Sequence, residues 1–152
     1  MNDQIAVRLG QMRDAAALAD FNIAMARETE GKELSRGRVS AGVNTVMQNP
    51  VHGFYVVAER AGIIAGSLLV TREWSDWRNS EFWWIQSVYV RPELRRQGIY
   101  RKLYEFVRAK AFEQGNVCGF RLYVEQGNTV AQRTYRDLGM IETVYRMYEQ
   151  EL

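Results

Sequence analysis

A chain of 152 residues, 47% apolar and 25% charged, has the composition of a soluble globule long enough to bury a core. Its net charge of +2 is too small for wholesale nucleic-acid binding, so any functional positive charge must be local. One cysteine, Cys118, and one histidine, His52, exclude an internal disulfide and Cys/His-rich zinc sites, and no segment reaches the ~18 apolar residues of a membrane span.

The start, "MNDQIAVRLGQMRD", lacks a signal-like apolar core, so a reducing, cytoplasmic setting is expected. "IAVRL" (5–9) reads as a first strand. Asp14 is placed to cap the helix that follows, in which Ala15, Ala19, Ile23 and Ala26 recur at helical spacing. "ETEGKEL" interrupts the pattern. A second helix is expected over "SRGRVSAGVNTVMQN", capped by Ser35 and stopped by Pro50. His52 falls in a turn.

The period then changes. "FYVVAER" and "IIAGSLLVTREW" are apolar and β-branched, and the "AG" between them signals an antiparallel hairpin. "FWWIQSVYV" (82–90) reads as a strand buried on both faces, ended by Pro92. A helix after Gly98 carries Ile99, Leu103, Phe106, Val107 and Ala111 on one face and closes at Gly115. "FRLYVEQ" (120–126) is a strand, "NTVAQRTYRDLG" a capped helix and "MIETVYRMYEQ" a terminal strand. The order β-α-α-β-β-β-α-β-α-β implies one α/β domain over 1–152, with helices on both faces of a sheet. Cys118, just before a buried strand, reads as an inert core thiol.

"RPELRRQGIYRKLYEF" (91–106) carries the local charge. A strand turns through glycine into a helix whose first N–H groups are unpaired, and such helix starts bind phosphate. Arg91, Arg95, Arg96, Arg101 and Lys102 add charge. The stretch is neither a Walker A loop nor a dinucleotide fingerprint. By itself it reads equally well as a solvated, Arg-rich helix start.

A second pattern breaks the tie. In "NTVAQRTYRDLGM", Asn128, Ala131, Tyr135 and Gly139 follow at spacings of three, four and four. The ordered pair R-x-x-G-I, then helix, strand and N-x-x-A-x-x-x-Y-x-x-x-G-M, resembles the GNAT superfamily of N-acetyltransferases over nearly the whole chain.

The resemblance implies a mixed, mostly antiparallel α/β sheet whose fourth and fifth strands, 82–90 and 119–125, are parallel and splayed. Acetyl-CoA would lie in the opening. Arg95 begins the anion loop, and main-chain N–H groups of Arg96, Gln97, Gly98, Ile99, Tyr100 and Arg101 would hold the diphosphate. Tyr100 departs from the usual Gly or Ala there, so its side chain must point away from the phosphates. Val88, Tyr89 and Val90 would take the pantetheine arm, with the Val88 N–H on the thioester carbonyl. Asn128 matches a pantetheine contact and also suits a helix N-cap. Tyr135 matches the general acid, set against a plain packing role. Glu73 is the candidate base among several carboxylates.

No metal is called for. Acceptor specificity in such proteins comes from the first two helices and the loop before the fourth strand. Here those stretches supply Glu28, Glu30 and Glu33 for a cationic amine, and Trp74 and Trp77 for an aromatic wall. Trp84 suits core filling instead. A small primary amine is the expected acceptor. A protein N-terminus or lysine, and a non-catalytic acyl-CoA-binding module, are the alternatives. No nucleic acid or membrane partner is expected. The chain is a monomer or a homodimer, and "VYRMYEQ" offers an edge for pairing with a second subunit.

Overall fold

The computed structural model describes residues 4–152. The chain forms two compact units, divided between Leu122 and Tyr123. In the first, β1 (Ala6–Leu9), β2 (Gly53–Arg60), β3 (Ile63–Ser75), β4 (Ser80–Val90) and β5 (Val117–Arg121) make one sheet in sequence order. The first four strands are antiparallel, and only β4 and β5 run parallel. Because the "AG" turn has two left-handed residues, Ala61 (φ 51°) and Gly62 (φ 78°), β2 and β3 close as the expected tight hairpin.

Helices cover both faces, which is why β2 is buried from Tyr55 to Ala58 without alternation. On one face lie α1 (Ala15–Glu30) and α2 (Arg36–Gln48), whose Leu18, Ala19, Phe21 and Val43 pack with Tyr55, Val57 and Tyr89. The other face carries α3 (Ile99–Gln114), which buries Ile99, Leu103, Tyr104, Val107 and Ala111. There Phe54 and Trp83 meet edge-to-face at 5.1 Å and line a cavity of about 410 Å³ with Lys110 and Gln114. Core filling on β4 thus falls to Trp83, 1% exposed, whereas Trp84 is half-buried on the opposite side of the pleat.

Local signals set most element ends. Ser35 Oγ accepts the Arg38 N–H, α2 ends before Pro50, and His52 lies in the turn that follows. Gly115, at φ 86°, closes α3 and donates to Ala111 O. Asp14 behaves differently from expectation. Its carboxylate does not cap α1 but accepts from the Gln11 N–H and from both terminal nitrogens of Arg8. It is 4% exposed, and an ion pair outbids a single cap bond at a buried site.

The second unit holds α4 (Thr129–Asp137). Asn128 caps it by accepting the Ala131 N–H at 3.2 Å, as its position predicts. Gly139, at φ 92°, ends it. The terminal strand expected over 140–150 does not form: residues 140–152 belong to no sheet of the described residues. A strand-forming composition becomes a strand only beside a partner edge. β5 is likewise shorter than 119–125, and Cys118 on it is exposed rather than a core thiol.

Candidate active site

The site begins where β4 and β5 part. Their parallel ladder runs from Glu81 and Val117 to Trp84 and Arg121 and stops there. β4 continues to Val90, so its side toward β5 has no strand partner from Ile85 onward among the described residues. Within this free stretch the strand bulges. Ser67 faces Tyr89 and Leu69 faces Gln86, leaving Ser87 and Val88 opposite Leu68 alone. Ser87 takes φ 51° to absorb the extra residue.

The bulge switches which face the following residues serve. Ile85 is paired with Val70 on the α3 side, while Tyr89 packs its ring 4.8 Å from Phe21 of α1. It also re-aims the backbone at Val88, a common device next to active sites. The sequence carries a trace of this: apolar positions run Trp83, Ile85 and then Val88, Val90, a one-residue slip across Gln86 and Ser87. That slip went unread in the sequence.

Past Val90 the chain is pinned before it reaches α3. Arg91 N–H donates to Ala65 O, its Nε donates to Ile64 O at 2.6 Å, and its guanidinium covers the Phe21 ring. Arg91 therefore serves the scaffold and not the charged patch. A Cβ on Gly66 would lie 2.9 Å from Tyr89 O and 3.3 Å from the Ile99 side chain, so glycine lets β3, β4 and the start of α3 converge.

Two left-handed residues, Arg96 (φ 63°) and Gly98 (φ 74°), then bracket Gln97. Such turns point successive N–H groups into one concavity. The first N–H to bond back along α3 is that of Lys102, to Gly98 O at 3.1 Å, so those of Ile99, Tyr100 and Arg101 have no intrahelical acceptor. A Cβ on Gly98 would meet nothing within 4 Å. Glycine is thus demanded by conformation, and the space before it is open, which fits a bound diphosphate.

Side chains around this turn divide by role. Gln97 accepts from Arg60 Nη2, and Tyr100 lies beside Tyr104 with ring centroids 6.4 Å apart, along α3 and one turn on. Arg95 is held by three contacts: Nε to Val90 O at 2.9 Å, Nη2 to Glu28 Oε2 at 2.7 Å, and its guanidinium over the Tyr89 ring. Arg96, Arg101 and Lys102 are exposed, with no ion pair among the described residues.

The acceptor candidates are not brought together. Glu28 lies at the open end of β4, where the Tyr89 hydroxyl donates to it at 3.4 Å, and Glu33 pairs with Arg27. Glu30 is exposed at the end of α1. Trp74 and Trp77, 59% and 88% exposed, belong to the opposite end of the strand, where Trp74 pairs with Glu81. Glu73 is there too, opposite Phe82, with its Oε1 bonded to Arg121 Nη1 at 2.6 Å. Six residues of strand, roughly 20 Å, separate Phe82 from Val88. The sequence missed the Glu28–Arg95–Tyr89 cluster because Glu28 lies more than sixty residues from the other two.

In the second unit, burial pushes the Tyr135 phenol above its ordinary range, so it remains protonated at neutral pH. Among the described residues no group of side chains is arranged to hold a metal, and no helix is long and apolar enough to cross a membrane.

Comparison with known proteins agrees with this architecture. The family model described as "Acetyltransferase (GNAT) family" matches residues 21–140. A possible acetyltransferase from Clostridium difficile 630 is 41% identical, with a TM-score of 0.90 over 97% of each chain. A predicted acetyltransferase from Clostridium acetobutylicum, solved with acetyl-CoA, is 17% identical and shares the fold at a TM-score of 0.80, over 97% of this chain and 96% of that one. The aminoglycoside N-acetyltransferase AAC(6')-Iy, solved with a bisubstrate analogue, is 14% identical with a TM-score of 0.78, over 98% and 99%. No curated protein matches the chain.

Proposed function

Because this chain belongs to the GNAT family of acetyltransferases, we propose that it transfers the acetyl group of acetyl-CoA directly to a primary amine of a small molecule. Membership makes it an acetyl-CoA-dependent acetyltransferase; the acceptor and the residue roles are the further reading. The observation that carries this reading is the sequence of a bulged, open-edged strand followed at once by a left-handed turn with clear space before Gly98.

In this reading the N–H groups of Arg96, Gln97, Gly98, Ile99, Tyr100 and Arg101 hold the diphosphate. Val88, Tyr89 and Val90 offer backbone groups to the pantetheine arm, joined by Asn128 where its cap bond leaves it free. When bound, acetyl-CoA supplies an activated acyl group whose thiolate needs a proton on leaving. The Val88 N–H polarises the carbonyl, and Tyr135, kept protonated by burial, provides the proton.

An alkylammonium acceptor must first lose a proton, its reference pKa being about 10.4. Glu73 stands too far along the strand to take it directly at Val88, so any base role of this carboxylate runs through water. Glu30, exposed at the end of α1, suits a cationic acceptor better than Glu28, which already holds Arg95. Trp74 and Trp77 would serve only an acceptor that reaches the far end of β4. The lone exposed thiol of Cys118 suits a reducing cytoplasm.

Calorimetry with acetyl-CoA, followed by a CoA-release screen over polyamines, amino acids, aminoglycosides and peptides, tests the proposal. Binding of acetyl-CoA and turnover with a small amine are expected. Absence of binding at millimolar acetyl-CoA overturns the donor site, and turnover with peptides alone overturns the acceptor class.

A further inference from the structure

The end of the β2–β3 hairpin grips the chain that leads from β4 into α3. Arg91 supplies two of the bonds, from its N–H to Ala65 O and from its Nε to Ile64 O. Ala65 is the extra residue of a bulge, since Ala58 faces Gly66 and Glu59 faces Ile64. A further bond comes from Arg60, the last residue of β2. Its Nη2 donates to Gln97 Oε1 at 3.0 Å, across 37 residues of sequence. Gln97 Nε2 in turn donates to Glu93 O at 3.5 Å, so one side-chain amide links the hairpin to the turn and to the segment before it.

Gln97 sits where such a link matters. It lies between Arg96, at φ 63°, and Gly98, at φ 74°. Glycine takes the left-handed region freely, whereas for Arg96 it is disfavoured and persists only where the surroundings impose it. The exposed Arg96 side chain makes no ion pair among the described residues, so its conformation is imposed through its neighbours. Arg60, meanwhile, is not placed for stability. Its Nε is buried with no hydrogen-bond partner among the described residues, and a buried donor left unpaired weakens a fold.

We propose that Arg60 is a positioning residue for the acetyl donor. Through the Gln97 side chain it holds residues 96–98 in the conformation that converges their N–H groups before the diphosphate arrives. The inference rests on the reading of 96–101 as the diphosphate turn. Arg60 acts only through Gln97, and the diphosphate is met by main-chain groups.

Arg60→Met keeps the aliphatic stem and removes the guanidinium. Acetyl-CoA affinity by calorimetry is expected to fall about three- to tenfold, the worth of one hydrogen bond, while Tm stays level or rises. Arg60→Lys, which restores a donor, should recover most of the affinity. Gln97→Met should match the loss of Arg60→Met, and the double variant should lose no more than either single one. A second measurement needs no donor. Hydrogen exchange at the Lys102 N–H, bonded to Gly98 O, should quicken severalfold in ligand-free Arg60→Met. If the wild type binds no acetyl-CoA, the donor reading falls, and the exchange rates alone decide whether Arg60 holds the turn. Unchanged affinity and exchange in Arg60→Met, or losses that add in the double variant as two separate contacts would, overturn the proposal.

Discussion

Arg95 Nη2 lies 2.7 Å from Glu28 Oε2 across 67 residues of sequence, tying the end of α1 to the first residue of the turn proposed to bind the diphosphate. Both side chains are about 40% exposed, so the pair contributes under about 1 kcal/mol to stability. Its effect is on position, because the same guanidinium holds Val90 O and covers Tyr89. Glu28→Gln is expected to raise the KM for acetyl-CoA about three- to tenfold with a smaller change in kcat and little loss of Tm. Steady-state kinetics with each substrate varied checks this. A rise confined to the acceptor KM would instead make Glu28 an acceptor ligand.

Tyr135→Phe removes the proposed acid while keeping the ring. Turnover should fall about a hundredfold or more, with acetyl-CoA affinity by calorimetry changing less than about twofold. The pH dependence follows from the sign of the shift. The phenol acts while protonated, and burial raises its pKa, so the wild-type rate should decline only above the ordinary phenol value of about 10. The variant should lose that alkaline limb.

Gly98→Ala separates folding from binding. The new methyl meets no atom of the protein, so the cost to folding is only that of a left-handed non-glycine residue, roughly 1 kcal/mol. The methyl enters the space assigned to the diphosphate, so acetyl-CoA affinity should fall at least about tenfold. Thermal unfolding and calorimetry on one preparation read the two effects independently.

Glu73→Gln should lower kcat less than about tenfold, since a carboxylate at the closed end of the β4–β5 pair is no direct base for chemistry at Val88. A loss of a hundredfold or more, the range of direct general bases, would return it to the reacting centre.

Asp14→Asn should destabilise the protein by about 2 kcal/mol, because it removes the more buried of the two carboxylates on Arg8 and leaves Glu59 alone to pair with it. Burial alone would raise the Asp14 pKa, but hydrogen bonds from Arg8 and the Gln11 N–H outweigh it and hold the carboxyl below its usual range. The stabilisation is therefore complete above the unfolded value of about 4 and is lost as pH falls through the folded one. Denaturant midpoints below pH 5 should drop less steeply with acid in the variant than in the wild type.

What the sequence determined by itself was whatever depends on neighbours in the chain. The "AG" hairpin, the Ser35 and Asn128 caps, the buried stripe from Ile99 to Ala111 and the glycine at the start of α3 are all settled by backbone sterics and periodicity within a few residues. The motif pair around Gly98 and Tyr135 was legible for the same reason. Tertiary structure decided the rest, through contacts between distant segments. It turned Asp14 toward Arg8, spent Arg91 on the β3 backbone and Arg95 on Glu28, and chose Trp83 over Trp84 for the core. It also left 140–152 without a sheet, because a strand needs an edge to pair with and no local pattern records whether one is available.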